Sequence, residues 1–241
     1  MKNTRAMIST LLCLLMLQWT SLALAKTYPP TVAVLYFDYT GKDENLAVLK
    51  KGLAQMLITD LESRTDACAF VERDRLEDIL AELKLGQSDK VDKDTAAKVG
   101  KLLGARYIVL GSFFDLMGQF RVDSRLIEVE TGTILGASGK MGKADDFWGL
   151  EQALADDLAG LLKTKTKPVT TAPKKTLKKK RPKKRKAKTS KVSTAVVMEY
   201  SRALDAKDRG DTKAAKAAMK KVVSKAPDFD IAAFDLDSML Q

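Results

Sequence analysis

The chain has 241 residues, 45% of them hydrophobic, a formal net charge of +11 and no histidine. That length and apolar content suffice for one or two domains with a real core. The missing histidine removes Ser-His and Cys-His nucleophile pairs, histidine acid-base chemistry and every histidine-ligated metal site. The positive charge is local: residues 163–191 hold 15 Lys or Arg and no acidic residue, and residues 192–241 hold 8 of each sign. Residues 26–162 hold 17 basic against 23 acidic residues and are net acidic.

Lys2 and Arg5 precede an apolar run from Met7 to Leu17, and Ala23, Leu24 and Ala25 stand just before Lys26. A basic start, an apolar centre and a small-x-small end define a Sec-type signal peptide over residues 1–25, with cleavage expected between Ala25 and Lys26. A retained N-terminal anchor is the alternative, but Gln18, Thr20 and Ser21 interrupt the run short of the ~20 residues a span needs. Cys13 lacks the small residue that a lipoprotein signal places before its cysteine, so no lipid anchor is expected. Cys68 is then the one cysteine of the mature chain, and it reads as a buried, inert thiol. No later segment is long and apolar enough to cross a membrane, which predicts a soluble exported protein.

Thr31 to Tyr39 is a continuous apolar run with β-branched and aromatic residues, ended by Thr40-Gly41, and predicts a buried strand. Leu46, Leu49, Leu53, Met56, Leu57 and Leu61 recur at helical spacing. Ala69 to Glu72 reads as a second strand. Leu76, Ile79, Leu80 and Leu83 mark a helix whose other face carries Glu77, Asp78 and Glu82. Asp92 is placed to cap the next helix, which runs through Ala96, Val99, Leu102 and Leu103 and stops at Gly104. Tyr107 to Phe114 is apolar throughout and predicts a central strand. From Phe120 to Glu128 the alternation suits a half-exposed antiparallel strand, followed by a Glu130-Thr131-Gly132-Thr133 turn and a strand over Ile134 to Lys140. Trp148, Leu150, Leu154, Leu158, Leu161 and Leu162 close residues 26–162 with a helix. The fold class is α/β: a mixed β-sheet of about five strands flanked by helices.

Residues 163–191 are lysine-rich, with Pro168, Pro173 and Pro182 among the charges, and predict a disordered basic linker whose ends average about 30 Å apart. Residues 192–241 are helical again: Glu199 to Lys207, a break at Asp208-Arg209-Gly210-Asp211, Thr212 to Lys225, then a final helix over Ile231 to Leu240. Gly210, Ala215 and Pro227 fit a tetratricopeptide-like helical hairpin, with Ala203 at a small-residue site and Met219 in place of an aromatic. A generic helical hairpin is the other reading.

The candidate chemistry is sparse. Asp38 and Asp115 fall near the C-terminal ends of two strands, where open α/β sheets place ligands, although such residues more often cap turns. Gly100 and Gly104, in VGKLLGA, lack the spacing of a phosphate loop and read as close packing and a helix stop. Arg73, Asp74, Arg75 and Glu77 sit where a strand meets a helix, with Asp74 and Glu77 as a capping-box variant. Ser124 has no neighbouring base. No catalytic residue, cofactor site or metal site is expected. The strongest chemical signal is Lys178, Lys179, Lys180, Arg181, Lys183, Lys184, Arg185 and Lys186. Behind a signal peptide, and without interleaved aromatics, this run is not expected to bind nucleic acid. Two readings stand: contact with an anionic envelope surface such as lipid, lipopolysaccharide or peptidoglycan, or a spacer between two domains.

Four blocks carry a resemblance: the VAVLYFD strand, FVERDRLEDILAEL, AAKVGKLLGARYIVLGS and FRVDSRLIEVETG. In this order they resemble the CsgG family of curli-secretion components and the related TolB N-terminal and LpoB-type domains, over roughly residues 31–162. The resemblance implies a non-enzymatic periplasmic protein associated with the outer membrane, acting as a scaffold or adaptor on envelope protein partners, with homo-oligomers among the options. A regulator of peptidoglycan synthesis of the LpoB type is the alternative, and an enzyme the third. A secretion pore is not expected, because only Asp115 to Gln119 join the strands where membrane hairpins of about 9–11-residue strands would have to lie.

Overall fold

A computed structural model describes residues 27–85, 92–170 and 192–241. The expected signal peptide with Ala23, Ala25 and Lys26, and the basic run from Lys178 to Lys186, lie outside the described residues.

Among the described residues, six strands and seven α-helices follow one another. They are β1 (Thr31–Val34), β2 (Asp38–Tyr39), α1 (Leu49–Arg64), β3 (Ala69–Phe70), α2 (Arg73–Glu82), α3 (Lys93–Leu103), β4 (Tyr107–Leu116), β5 (Gln119–Glu128), β6 (Ile134–Lys143), α4 (Phe147–Lys165), α5 (Thr194–Asp208), α6 (Thr212–Lys225) and α7 (Asp230–Leu240). A short 3-10 segment, Glu44–Val48, leads into α1. The strands form one mixed sheet in the order β3-β1-β4-β5-β6, with β2 paired to β4 beyond the end of β1. β1 is parallel to β3 and β4, and the β4-β5-β6 meander is antiparallel.

The apolar run Thr31–Tyr39, expected as one strand, is two. Val34 faces Val109 while Asp38 faces Ser112, so four residues advance against three on the partner strand. The extra residue makes a bulge at residues 35–37, a device that re-aims side chains beside sites. Gly111 accommodates it: a Cβ there would stand 2.1 Å from the Asp123 carbonyl oxygen and 2.6 Å from the Phe37 ring.

Asp92 caps α3 as expected, accepting from the Thr95 N–H at 2.7 Å, and Gly104 ends it in the left-handed conformation at φ +67. Gly100 lets α3 approach the sheet, since a Cβ would meet Val129 at 2.8 Å and Ile108 at 3.0 Å. The α2 reading needs correction. The N-cap of α2 is Glu72 and makes no side-chain cap bond, so Asp74 and Glu77 form no capping box. Both carboxylates are drawn instead to cations of other elements.

Helix α1 is buried on nearly every side, between the sheet and helices α4 and α5. Its apolar residues Leu49, Leu53, Met56, Leu57 and Leu61 are sealed, but so are Lys51, Thr59 and Asp60. A helix enclosed all round must satisfy its polar groups internally. That requirement creates the two polar clusters described below.

The tail helices are seated on this same helix. Gly52 of α1 gives α5 its close approach, because a Cβ at that position would lie 2.1 Å from Ser201 Oγ. Phe229, ahead of α7, is fully buried between Trp148 of α4 and Tyr200 of α5, with ring centroids 5.3 and 5.1 Å away. One apolar core runs from β1 through Leu204, Met219 and Ile231. The helical hairpin turns at Gly210, φ +79, and its α7 buries Ile231 and Ala232 as a capping helix would. Tyr28 and Val169 form an antiparallel bridge just past the end of α4, and the Thr194 hydroxyl donates to the Ala144 carbonyl just before α4 begins. The described ends of the basic segment therefore flank the two termini of α4, about 28 Å apart for a 19-residue helix.

Candidate functional site

The bulge at residues 35–37 delivers Tyr36 to the carboxyl end of β1, beside the switch point where the sheet's connections diverge toward β3 and β4. Open α/β sheets place their crevice there. Arg73 arrives on the same spot because α2 starts three residues after β3 ends. Its side chain is 0% exposed. It donates from Nη1 to Asp208 Oδ2 and from Nη2 to Asp208 Oδ1, each at 2.7 Å, and also from Nη1 to the Tyr36 hydroxyl at 3.1 Å and from Nη2 to Asp74 at 2.9 Å. Planar guanidinium geometry suits this bidentate grip.

Lys51 of α1 meets the same group from the other side. Its Nζ donates to Glu77 at 3.1 Å, Asp205 at 3.0 Å and Asp208 at 2.7 Å, satisfying all three ammonium hydrogens. The Tyr36 hydroxyl donates to Glu77, and Lys207 Nζ donates to Asp74 at 2.6 Å. Two buried cations from the α/β part thus bind carboxylates at the end of α5, which plugs the crevice with the chain's own tail. Burial would raise the Asp208 carboxyl, but the hydrogen bonds and charges of Arg73 and Lys51 hold it below the usual carboxylate range. Burial would weaken the Arg73 charge, and Asp208 more than restores it. The Tyr36 hydroxyl is raised, chiefly by burial. All of these groups are committed to one another, so the cluster clamps two parts of the protein.

A second cluster sits lower on α1. Arg64 Nη1 lies 2.9 Å from Asp60, and its Nε donates to Asp156 of α4 at 2.6 Å. Glu151 of α4 faces them with 0% exposure, and no donor reaches either of its carboxylate oxygens or Asp60 Oδ2. Burial, then the neighbouring Asp60, pushes the Glu151 carboxyl well above its ordinary range.

The remaining sequence candidates have local explanations. Asp115 accepts from the Tyr39 hydroxyl, whose pKa is pushed up to about 12 by burial and by that bond. Asp38 stands in register with Ser112, and among the described residues no group of three or more His, Cys, Asp or Glu could hold a metal ion. Ser124 donates to the Ser138 carbonyl at 3.1 Å. Burial pushes the Cys68 thiol up, and its sulfur lies 3.4 Å from the Thr166 hydroxyl. Lys51, Asp205, Asp208 and Glu151 were not singled out from the sequence. Of these only Glu151 left a signal, a carboxylate inside the Trp148-Leu154-Leu158 apolar stripe.

No curated protein sequence matches the chain. Among solved structures it is similar to the LpoB C-terminal domain from Salmonella enterica, at 18% identity over 53% of this chain and 90% of that one, with a TM-score of 0.35. It is similar to lipoprotein GNA1162 from Neisseria meningitidis at 11% identity, 56% and 98% coverage and a TM-score of 0.43. TolB from Acinetobacter baumannii matches at 14% identity, 58% and 30% coverage and a TM-score of 0.33. Residues 30–120, from the start of β1 to the first residues of β5, match the family of the curli production assembly/transport component CsgG, the family that the sequence motifs point to.

Proposed function

We propose that this protein is a non-enzymatic, periplasmic component of the cell envelope, a CsgG-like scaffold that works by binding protein partners. The observation that carries the reading is the family match over residues 30–120, which spans the β1-α1-β3-α2-α3-β4 core. The signal-peptide pattern of residues 1–25 supports export. The basic run from Lys178 to Lys186 adds attraction to anionic envelope surfaces, on the order of 1 kcal/mol for each lysine near an anionic bilayer.

Envelope fractionation of the full-length protein beside a variant lacking residues 174–188 tests this. Export, with in-cell crosslinks to an envelope protein from both forms, is the expected result. Sedimentation of only the full-length form with outer membrane or peptidoglycan adds the surface contact. Retention in the cytoplasm, or recovery solely as an uncrosslinked monomer, overturns the reading.

A further inference from the structure

We propose that Glu151 holds a proton that it donates to the Asp60 carboxylate, and that this proton is a bound ligand on which the seat of the C-terminal helices depends. The geometry forces the question. Asp60 on α1 is 3% exposed and Glu151 on α4 is fully enclosed, and three of their four carboxylate oxygens have no donor. The fourth, Asp60 Oδ1, is held by Arg64. The positive charge of Arg64 is therefore matched by Asp60, with Asp156 reaching the same guanidinium from the solvent side. Glu151 is left with no cation of its own.

The groups facing it leave an acidic surplus: Arg64 alone favours a Glu151 charge, and Asp60 and Asp156 oppose it. From α1 come Asp60 and Arg64, from its own helix Asp156, and from α5 Tyr200, whose hydroxyl donates to Asp235 of α7 at 2.6 Å. Tyr200 is close enough to feel a Glu151 charge, and burial, with Asp235 beside it, keeps its hydroxyl far above the ordinary range. A carboxylate enclosed among these groups lacks hydrogen bonds, and the one cation near it is already paired with Asp60 and Asp156, a costly state for a buried acid. A proton cures both defects at once. It removes the charge on Glu151 and supplies the O–H that bonds the Asp60 carboxylate within reach.

The consequence has a definite sign. A carboxyl whose pKa is raised on folding binds its proton more tightly in the folded state. Stability is complete below the unfolded value near 4.3 and falls as pH climbs to the folded value. Deprotonation puts a second negative charge between α1 and α4, beneath α5, so the tail helices are the part that loosens.

The test uses the mature full-length protein. Infrared spectra at neutral pH are expected to show a protonated-carboxyl C=O band that disappears in E151Q and titrates away as pH rises. In parallel, urea unfolding from about pH 5 to about pH 9 should show the wild-type folding constant dropping up to about tenfold per pH unit relative to E151Q, the slope of one proton. Hydrogen exchange should place the loss in α5 to α7. Should E151Q fail to fold, E151M serves as the uncharged reference, and the wild-type infrared band still decides. No carboxyl band at neutral pH, parallel stability profiles, or a pH effect replaced by dependence on added calcium at fixed pH each overturns the proposal.

Discussion

Helix α1 carries two polar clusters nine residues apart, about 14 Å along its axis, and they solve the same problem in opposite ways. At its upper end Lys51 and Arg73 enclose Asp205 and Asp208, and each buried charge finds a partner of the other sign. At its lower end Asp60, Asp156 and Glu151 crowd one Arg64, and the surplus acid has nothing to bind but a proton. Both clusters lie where the tail meets the α/β part. The difference teaches that an enclosed helix interface can be held by charge balance at one end and by protonation at the other, with opposite responses to pH.

The largest effect is expected from removing the upper cation. Arg73→Met strands Asp208 beside Lys51 and should cost about 3–5 kcal/mol in urea unfolding. A loss below about 1 kcal/mol would mean that solvent, and not Arg73, balances that carboxylate. Asp208→Asn is next, at about 1.5–3 kcal/mol near neutral pH. The folded carboxyl of Asp208 is held low, so its contribution is present above the unfolded value near 3.9 and lost as pH falls through the folded one. The wild-type advantage over D208N should therefore shrink in acid, where the lower cluster is at its most stable. The seat between the clusters can be tested by Gly52→Ala, whose new Cβ meets Ser201 Oγ and should cost about 1–3 kcal/mol. Adding Ser201→Ala should recover most of that loss, a double-mutant cycle that additive effects would contradict. The smallest change is expected at the hairpin's own exposed ion pair: Lys225→Ala, which leaves Glu199 to Lys221, should cost under about 1 kcal/mol and leave both pH responses in place.

These contrasts mark what the sequence could express. The Asp92 cap, the Gly104 stop and the apolar stripes of α1 and α4 are local patterns, and the structure places them as expected. The bulge between β1 and β2 left no trace, because an apolar run looks the same whether or not it skips a residue against its neighbour. Arg73, Asp74 and Glu77 looked like a capping box because their true partners are distant: Asp208 lies 135 residues from Arg73 and Lys207 lies 133 from Asp74. The aromatic seat escaped for the same reason, since Trp148 and Tyr200 come from two separate helices and Phe229 from the cap ahead of a third. Local rules read elements well, and the site consists of contacts between them.

The basic segment begins beside one end of α4 and returns to the other, and both ends are fixed to a single core. A protease that cuts at its lysines would sever the chain without separating its parts. Trypsin-nicked protein should run as two fragments under denaturing conditions and as one species in native chromatography. The two pieces, expressed apart, should find each other as complementing fragments, with Arg73 and Asp208 on opposite sides of the break.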